Sequence, residues 1–352
     1  MAMAIQTRVG ASVVLRPAQV ARQRATSYDV AQVAGVAQST VSRCFKNDSA
    51  ISAETREQVL EVARKLGYMP NALARSLVTR RSNLVGVIAT RYTLRGNPEA
   101  IYAVGEALAA AGKQLLLITA EHDFPTFADL RSGLEYPLDG LISCVQLSDT
   151  DIRAIQARSL ALVLYNRHSP RIPVDAVTAN HAVAAGAVAA ALHAAGHRRF
   201  LCVAGPPEAP VSRERLEGFV RRLQALGVQD TAVIETDYSY VGGRDGFLTA
   251  ATGRKPPDAV FCTSDQLAFG VLDACRFKLG FKVPQDISVV GFDDVTEAAR
   301  PGYDLTTMHQ DTVDMARQAV GLLLQRLAAP DLPVMLTQID ASFVMRGSAR
   351  LS

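Results

Sequence analysis

From Asp29 to Arg43 the chain reads Asp-Val-Ala-Gln-Val-Ala-Gly-Val-Ala-Gln-Ser-Thr-Val-Ser-Arg, and its last six residues set polar side chains around one valine. Wound as a helix, that segment turns Val41 inward and leaves Gln38, Ser39, Thr40, Ser42 and Arg43 outside. Such side chains suit the edges of base pairs. An arginine fork can hold guanine through two hydrogen bonds, glutamine can do the same for adenine, and hydroxyls reach phosphate oxygens. The alternative is an ordinary helical hairpin with a polar face; spacing, polarity and the basic surroundings together favour groove reading.

The elements that must position these residues are legible around them. Thr26-Ser27-Tyr28-Asp29 has the form of a helix N-terminal cap, and Val30, Val33 and Ala34 offer an apolar face behind it. Gly35-Val36 breaks that helix, small Ala31 permits a close crossing, and Gln38 to Phe45 resumes with Val41 and Phe45 four apart. Ser52 caps a third helix with Val59, Val62, Ala63 and Leu66 as its stripe, closed by Gly67. Three such helices can share one small core. Pro70 stops the run, Asn71 to Leu77 has the text of a short helix, and Arg80 to Asn83 reads as a linker.

Beyond the linker, apolar runs of strand length alternate with helical patterns. The runs are Leu84–Ile88, Leu115–Thr119, Gly140–Val145, Ala161–Tyr165, Phe200–Ala204, Ala259–Thr263 and Ile287–Gly291; the helices are 99–111, 183–195, 213–226, 241–251 and 266–279. Continuous apolar strands interleaved with helices predict parallel sheets covered on both faces.

Charge is asymmetric along the 352 residues. Residues 1–82 hold 12 Lys and Arg against 5 Asp and Glu, whereas the remainder holds 25 against 29. A basic front end points to a polyanion partner for that part alone, since neutralising phosphates drives non-specific DNA affinity. Residues 1–25 read as a disordered basic tail rather than a targeting peptide, because the apolar stretch from Val9 to Leu15 is short and interrupted. No run approaches the roughly 18 apolar residues of a membrane span, so no membrane partner is expected. Cys44, Cys144, Cys202, Cys262 and Cys275 lie far apart, which fits reduced thiols in a cytoplasmic protein better than a zinc site or a disulfide framework.

These residues resemble the lactose-repressor (LacI/GalR) family of bacterial transcription regulators from Thr26 to about Gly347. The headpiece carries the likeness in Tyr28-Asp29-Val30-Ala31, Ala34-Gly35-Val36, Thr40-Val41-Ser42-Arg43, Ser52 to Arg56 and Leu66 to Asn71, and the hinge carries it in Asn71-Ala72-Leu73-Ala74-Arg75-Ser76-Leu77. Further matches are Asp139 to Ile142, Gly196 to Arg199, Arg215 to Phe219, Ser264-Asp265-Gln266, Ser288 to Asp294 and Leu305 to Thr307. The resemblance implies an all-α helix-turn-helix headpiece ahead of an α/β core of two doubly wound, parallel-sheet lobes like those of periplasmic binding proteins. It assigns 26–70 to the headpiece, 71–83 to hinge and linker, 84–180 with 311–338 to one lobe, and 181–310 with 339–352 to the other.

It also implies that Gln38, Ser39 and Arg43 read bases, that Thr26, Thr40, Ser42 and Asn71 touch phosphates, and that the hinge, with Ala74 and its wedge Leu77, enters the minor groove. Inserting an apolar side chain at a base step costs a few kcal/mol of unstacking, which the kinked complex recovers in added contact. A seven-residue helix is unstable alone, so the hinge is expected to order on DNA or on a partner's hinge. The implied partners are near-palindromic operator DNA, a second copy of the chain, and a small, sugar-like effector between the lobes.

Arg215 and Asp293 are the leading effector contacts, with a lobe-to-lobe salt bridge as the alternative. Thr90, Tyr92, Asn180, Ser264, Asp265, Phe292 and Gln310 complete the expected site, since ligands of doubly wound sheets sit at strand carboxyl ends. Three departures stand out. Ala37 occupies the usual place of a capping serine, worth about 1 kcal/mol; Asn180-His181 replaces an Asp-Asn pair at the lobe crossover; and Arg91 to Gly96 is unlike common sugar binders.

No cofactor, metal or enzyme chemistry is expected. Gly242 to Gly246 lacks dinucleotide-binding spacing, His193 and His197 are separated by helix-ending Gly196, and no serine or cysteine has a local base. A sugar-binding or transport protein with the same lobes is the competing class; the headpiece text disfavours it.

Overall fold

The structure, a computed structural model, describes residues 25–45, 49–70, 81–120, 125–251 and 256–351. The expectations for the tail 1–24 and for Asn71, Ala74 and Leu77 lie outside the described residues. The chain divides into two compact units, Met1–Val78 and Thr79–Ser352.

In the first unit, α1 (Ser27–Ala34), α2 (Gln38–Phe45) and α3 (Ala53–Leu66) close on one another. Thr26 is the N-cap of α1: its hydroxyl accepts from the Asp29 N–H at 3.3 Å, while the Asp29 carboxylate accepts from the Thr26 N–H at 2.7 Å. These bonds hold the Asp29 carboxyl below its ordinary pKa. Gly35 ends α1 at φ 66°, the left-handed conformation that glycine adopts without strain. Ser52 and Gly67 bound α3 as expected.

Val30, Ala31, Ala34, Val41, Cys44, Val59 and Ala63 form the core. Two residues expected to face it are exposed instead: Val33 is 63 % exposed and Leu66 38 % exposed. Ala31, three residues before Ala34, takes the inward position that Val33 was expected to fill.

In the second unit, two parallel sheets carry the chain. The first has six strands in the order β11-β5-β4-β3-β1-β2, built from β1 (Leu84–Thr90), β2 (Gln114–Ala120), β3 (Gly140–Ser143), β4 (Ala161–Tyr165), β5 (Asp175–Ala179) and β11 (Leu336–Ile339). The second has four in the order β7-β6-β8-β9, from β6 (Phe200–Ala204), β7 (Ala232–Glu235), β8 (Ala259–Cys262) and β9 (Ser288–Val290). An antiparallel pair, β10 (Thr307–His309) with β12 (Ser342–Val344), extends the second region.

Alternation along each strand fills both faces. Val85 and Val87 enter one cluster and Ile88 the opposite one; Val260 and Cys262 face one way, Ala259 and Phe261 the other. The chain crosses between sheets after β5, after β10 and after β11. The expected strands all appear. Left out by the sequence reading were β5, β7, β10, β11 and the helices Asp149–Gln156 and Thr312–Ala328, among others.

Asp139 anchors the start of β1. Its carboxylate accepts from the Ser82 N–H at 2.7 Å, the Asn83 N–H at 3.0 Å and Lys113 Nζ at 2.9 Å, fixing the end of the expected linker to the sheet. The five cysteines are buried and free.

Candidate DNA-reading and ligand-binding sites

On α2, Val41 and Cys44 are buried while Ser39, Ser42 and Arg43 are exposed, so one turn of helix separates the packing face from the polar one. Thr40 is half-buried and Thr26 exposed. Gln38 differs from expectation: its Nε2 donates to Ser27 Oγ at 3.1 Å, so in this form its amide group is tied to α1 rather than free. That bond also bears on the weak cap at Ala37, which has no side-chain acceptor. The start of α2 is held instead by the Gln38–Ser27 tie, and the Ala37 carbonyl accepts from Thr40 N at 2.9 Å. Tyr28, 72 % exposed at the start of α1, stands beside the Thr26 cap; the sequence reading gave it no role.

The second site is a cavity of about 520 Å³ in the core unit, within the ~300–1,000 Å³ typical of ligand pockets. Its walls come from the segments after β1, β3 and β4 of one sheet and after β6, β7, β8 and β9 of the other. All are strand carboxyl ends. Loops there carry no ladder hydrogen bonds onward, so they can diverge and leave a crevice.

Arg215, on the helix Pro210–Ala225, is 2 % exposed and bound on three sides. Its Nη1 donates to the Thr263 carbonyl at 2.6 Å and lies 3.0 Å from Asp293 Oδ1, and its Nε donates to His181 Nδ1 at 3.2 Å. The guanidinium also lies over the Phe292 ring, 3.7 Å from its centroid. Asp293 Oδ1 accepts a second bond, from Gln310 Nε2 at 2.6 Å. Burial raises the Asp293 carboxyl above its ordinary pKa, and Arg215 only partly offsets the rise. The residue has φ 127°, a conformation a side chain seldom adopts, held by the bond from its N–H to the Met308 carbonyl at 2.9 Å.

The two leading residues therefore meet, but the alternative of a lobe-to-lobe bridge does not describe them. Both belong to the region of the second sheet, and their pairing organises one wall of the cavity. What joins the two sheet regions is His181, just after the first crossover. Because Arg215 Nε can only donate, His181 Nδ1 must accept, which leaves the proton on Nε2 to donate to Asn166 Oδ1 beyond β4, at 2.9 Å. Burial and the neighbouring Arg215 hold His181 well below the usual histidine range, so it is neutral. Thr296 of the second region also donates through Oγ1 to Glu99 Oε1 of the first at 2.6 Å.

The remaining expected contacts divide. Ser264 lines the cavity, and its Oγ accepts from Leu267 N at 3.4 Å at the start of the helix Asp265–Asp273. Gln310 and Phe292 stand behind Asp293 and Arg215 rather than on the wall. Asp265 is a correction: fully buried, it accepts from Thr307 Oγ1 at 2.6 Å and Val295 N at 2.9 Å and braces the second region. Asn180 and Thr90 also stand off the cavity. Asn180 occupies the crossover at the start of the helix His181–Ala194, and Thr90 Oγ1 accepts from Thr93 N at 3.3 Å. The expectation for the Tyr92 side chain lies outside the described residues.

Wall residues that the sequence reading missed include Arg167, Asn166, Tyr165, Gln146 and Tyr238. Tyr238 lies against Gly205, where any Cβ would stand 2.3 Å from its ring. Position directly after an apolar run was the available signal for Asn166 and Arg167.

Comparison with known proteins identifies the family. Residues 26–71 match the model described as bacterial regulatory proteins, lacI family, and residues 189–349 match the periplasmic binding protein-like domain. The repressor CytR of Escherichia coli K12 is 30 % identical over 334 residues, covering 93 % of this chain and 96 % of the relative. The chain belongs to the lacI family of bacterial regulatory proteins. It is a DNA-binding transcriptional repressor and not an enzyme.

The ribose operon repressor of Escherichia coli K12 is 29 % identical over 330 residues, covering 92 % of this chain and all of the relative. Among solved structures, the Lac repressor dimer bound to operator and the anti-inducer ONPF superposes with a TM-score of 0.83 at 27 % identity, over 93 % of this chain and 99 % of that one. The transcriptional regulator CelR in complex with cellobiose superposes at 0.70 and 27 % identity, over 93 % and 100 %. This lacI-family chain thus has the parallel-sheet core and helix-turn-helix headpiece that the resemblance implied. Among the described residues no helix is long and apolar enough to cross a membrane, and no cluster of His, Cys, Asp or Glu is placed to hold a metal ion.

Proposed function

We propose that this repressor acts in the cytoplasm as a homodimer on a near-palindromic operator, and that a polyhydroxyl effector in the cavity, a carbohydrate or a derivative of one, controls its grip. In this reading Ser39, Arg43 and a released Gln38 read bases, with Thr26, Thr40, Ser42 and Asn71 on phosphates and Ala74 and Leu77 in the minor groove. The lobes are 84–180 with 311–338 and 181–310 with 339–352. The effector contacts are Arg215, Asp293 and Ser264, while Gln310, Phe292 and His181 orient them.

One observation carries the effector reading. Arg215 and Asp293 are fixed from behind, yet Arg215 Nη2 and Asp293 Oδ2 keep no protein hydrogen bond among the described residues. A rigid donor beside a rigid acceptor matches neighbouring hydroxyls, each of which accepts and donates. Because His181 and Gln310 tie this pair to two crossovers, a ligand that draws on it alters the joints between sheet regions. That is a coupling free energy between sites. Relatives named as the ribose operon repressor and the cellobiose complex of CelR support a sugar as the ligand class.

The test is fluorescence anisotropy with a palindromic duplex obtained by in-vitro selection, titrated with protein in the presence of sugars, nucleosides and sugar derivatives. A ligand that shifts operator affinity in the wild-type chain and not in Asp293→Asn supports the reading. An equal shift in both overturns the assigned contact, and failure to select any preferred duplex overturns DNA reading.

A further inference from the structure

The cavity carries charge that a neutral sugar does not require. Among the described residues its wall holds four arginines, Arg91, Arg95, Arg167 and Arg215, against two aspartates, Asp237 and Asp293. Arg215 and Asp293 compensate each other at 3.0 Å. Asp237 is exposed, and its Oδ1 is occupied by the Ser239 N–H at 3.0 Å and the Ser239 hydroxyl at 2.6 Å. Arg91 and Arg95 are exposed and make no ion pair with a described residue.

Arg167 is the informative member. It is the second residue beyond β4, is half-buried, and has one hydrogen bond among the described residues, from Nη1 to the neighbouring Asn166 carbonyl at 2.7 Å. No described carboxylate lies within 4.0 Å of it. Glu214, whose carboxyl also feels its field, has His168 Nδ1 3.6 Å from its Oε1. Arg167 lines the cavity together with Cys144, Tyr165, Tyr238 and Asp293, and is half-buried there rather than free in solvent. A guanidinium withdrawn partly from water without an anionic partner is unfavourable, and a planar fork on a cavity wall is suited to an oxyanion.

We infer that the effector of this chain is an anion, with a phosphate or carboxylate group seated on Arg167 and steered by Arg91 and Arg95, while its hydroxyls occupy Arg215 and Asp293. The inference rests on the reading of this cavity as the effector site. It narrows the class from sugars in general to phosphorylated sugars or sugar acids. The two sources share one chemistry, a flat or tetrahedral oxyanion, and separate by probe.

Thermal unfolding of the full chain tests it, at neutral pH and constant ionic strength in chloride, inorganic phosphate or D-gluconate, with neutral D-glucose as a further arm. The expected result is a Tm raised by phosphate, by gluconate or by both over chloride, with the midpoint concentration of that response moved about tenfold or more in Arg167→Met and held near wild type in Arg167→Lys. A phosphate-only response identifies a phosphorylated effector and a gluconate-only response a sugar acid. Equal Tm in all three salts overturns the proposal, as does an increment retained in Arg167→Met, which reports general salt stabilisation. If glucose stabilises the chain and neither anion does, the cavity remains an effector site and its anionic character falls. If phosphate binds through Arg167 while no small molecule alters operator affinity, the anion site stands and the regulatory reading falls.

Discussion

Replacing Arg215 by methionine tests whether the cavity wall is held by a buried ion pair or merely contains one. The Arg215 and Asp293 side chains are 3 % and 12 % exposed, and their charged atoms are 3.0 Å apart. At an effective dielectric of about 20, that separation corresponds to an attraction of about 5.5 kcal/mol. Several kcal/mol per ion of desolvation oppose it, so the intact pair adds little net stability. Removing one partner is different. Arg215→Met leaves Asp293 buried with only Gln310 as partner and strips the Thr263 carbonyl of its donor, a loss of about 3–5 kcal/mol against a domain stability of about 5–15 kcal/mol.

Asp293→Asn should cost a comparable amount by stranding the guanidinium. The double variant removes both charges and should fall short of the summed losses by about 2–4 kcal/mol. The assay is urea unfolding followed by circular dichroism at one protein concentration, since the chain has no tryptophan to report by fluorescence. The sign with pH is a second check. In Arg215→Met, burial raises the Asp293 pKa with its ion-pair partner gone and only the weaker field of Arg167 opposing, and a raised carboxyl stabilises below its unfolded pKa and loses that contribution as pH rises. The deficit should therefore grow upward from about pH 4. Additive single losses, or a deficit that shrinks with rising pH, would refute the reasoning.

Arg43→Ala should relax base preference at one operator position by about 1–3 kcal/mol, read as a flattened column in an in-vitro selection; an unchanged column counts against base contact. Thr26→Ala deletes the α1 cap and should cost about 1 kcal/mol of local stability, seen as faster amide exchange in residues 27–34 with the core unit unaffected. Gly205→Ala drives a Cβ to 2.3 Å from the Tyr238 ring, and overpacking of about 1–3 kcal/mol should appear together with weakened effector binding. Asp265, pushed up to about 7 by burial and then by the negative charge of Asp293, makes the core lose stability as pH climbs from about 4 to about 7; Asp265→Asn should flatten that slope.

Local chemistry explains what was legible in the residues alone. The caps Thr26, Gly35, Ser52 and Gly67 act within one turn of their helices, so spacing suffices to place α1 to α3. Strands β1, β3, β4, β6 and β8 are apolar on both faces because both are covered, and a continuous apolar run survives any error of register. Arg215 and Asp293 were reached through resemblance. The short strands β7 and β10 offered too few residues for a period, and Val33 looked inward until Ala31 was seen to occupy that place.

What the sequence by itself determined is therefore the reading helix with its caps, the alternation that makes two parallel sheets, and the residue types available at strand ends. Only the tertiary structure decided which of those residues face the cavity. Asp265 and Asp293 both follow strands, yet one is consumed by Thr307 and Val295 while the other meets Arg215 across 78 positions of chain. Gln38 is tied to Ser27, His181 joins Asn166 to Arg215, and Arg167 is left without a carboxylate among the described residues. The physical reason is common to all four. A hydrogen bond or an ion pair depends on the position of a partner that sequence distance does not encode, and the energy of a charge depends on how much water the fold leaves around it.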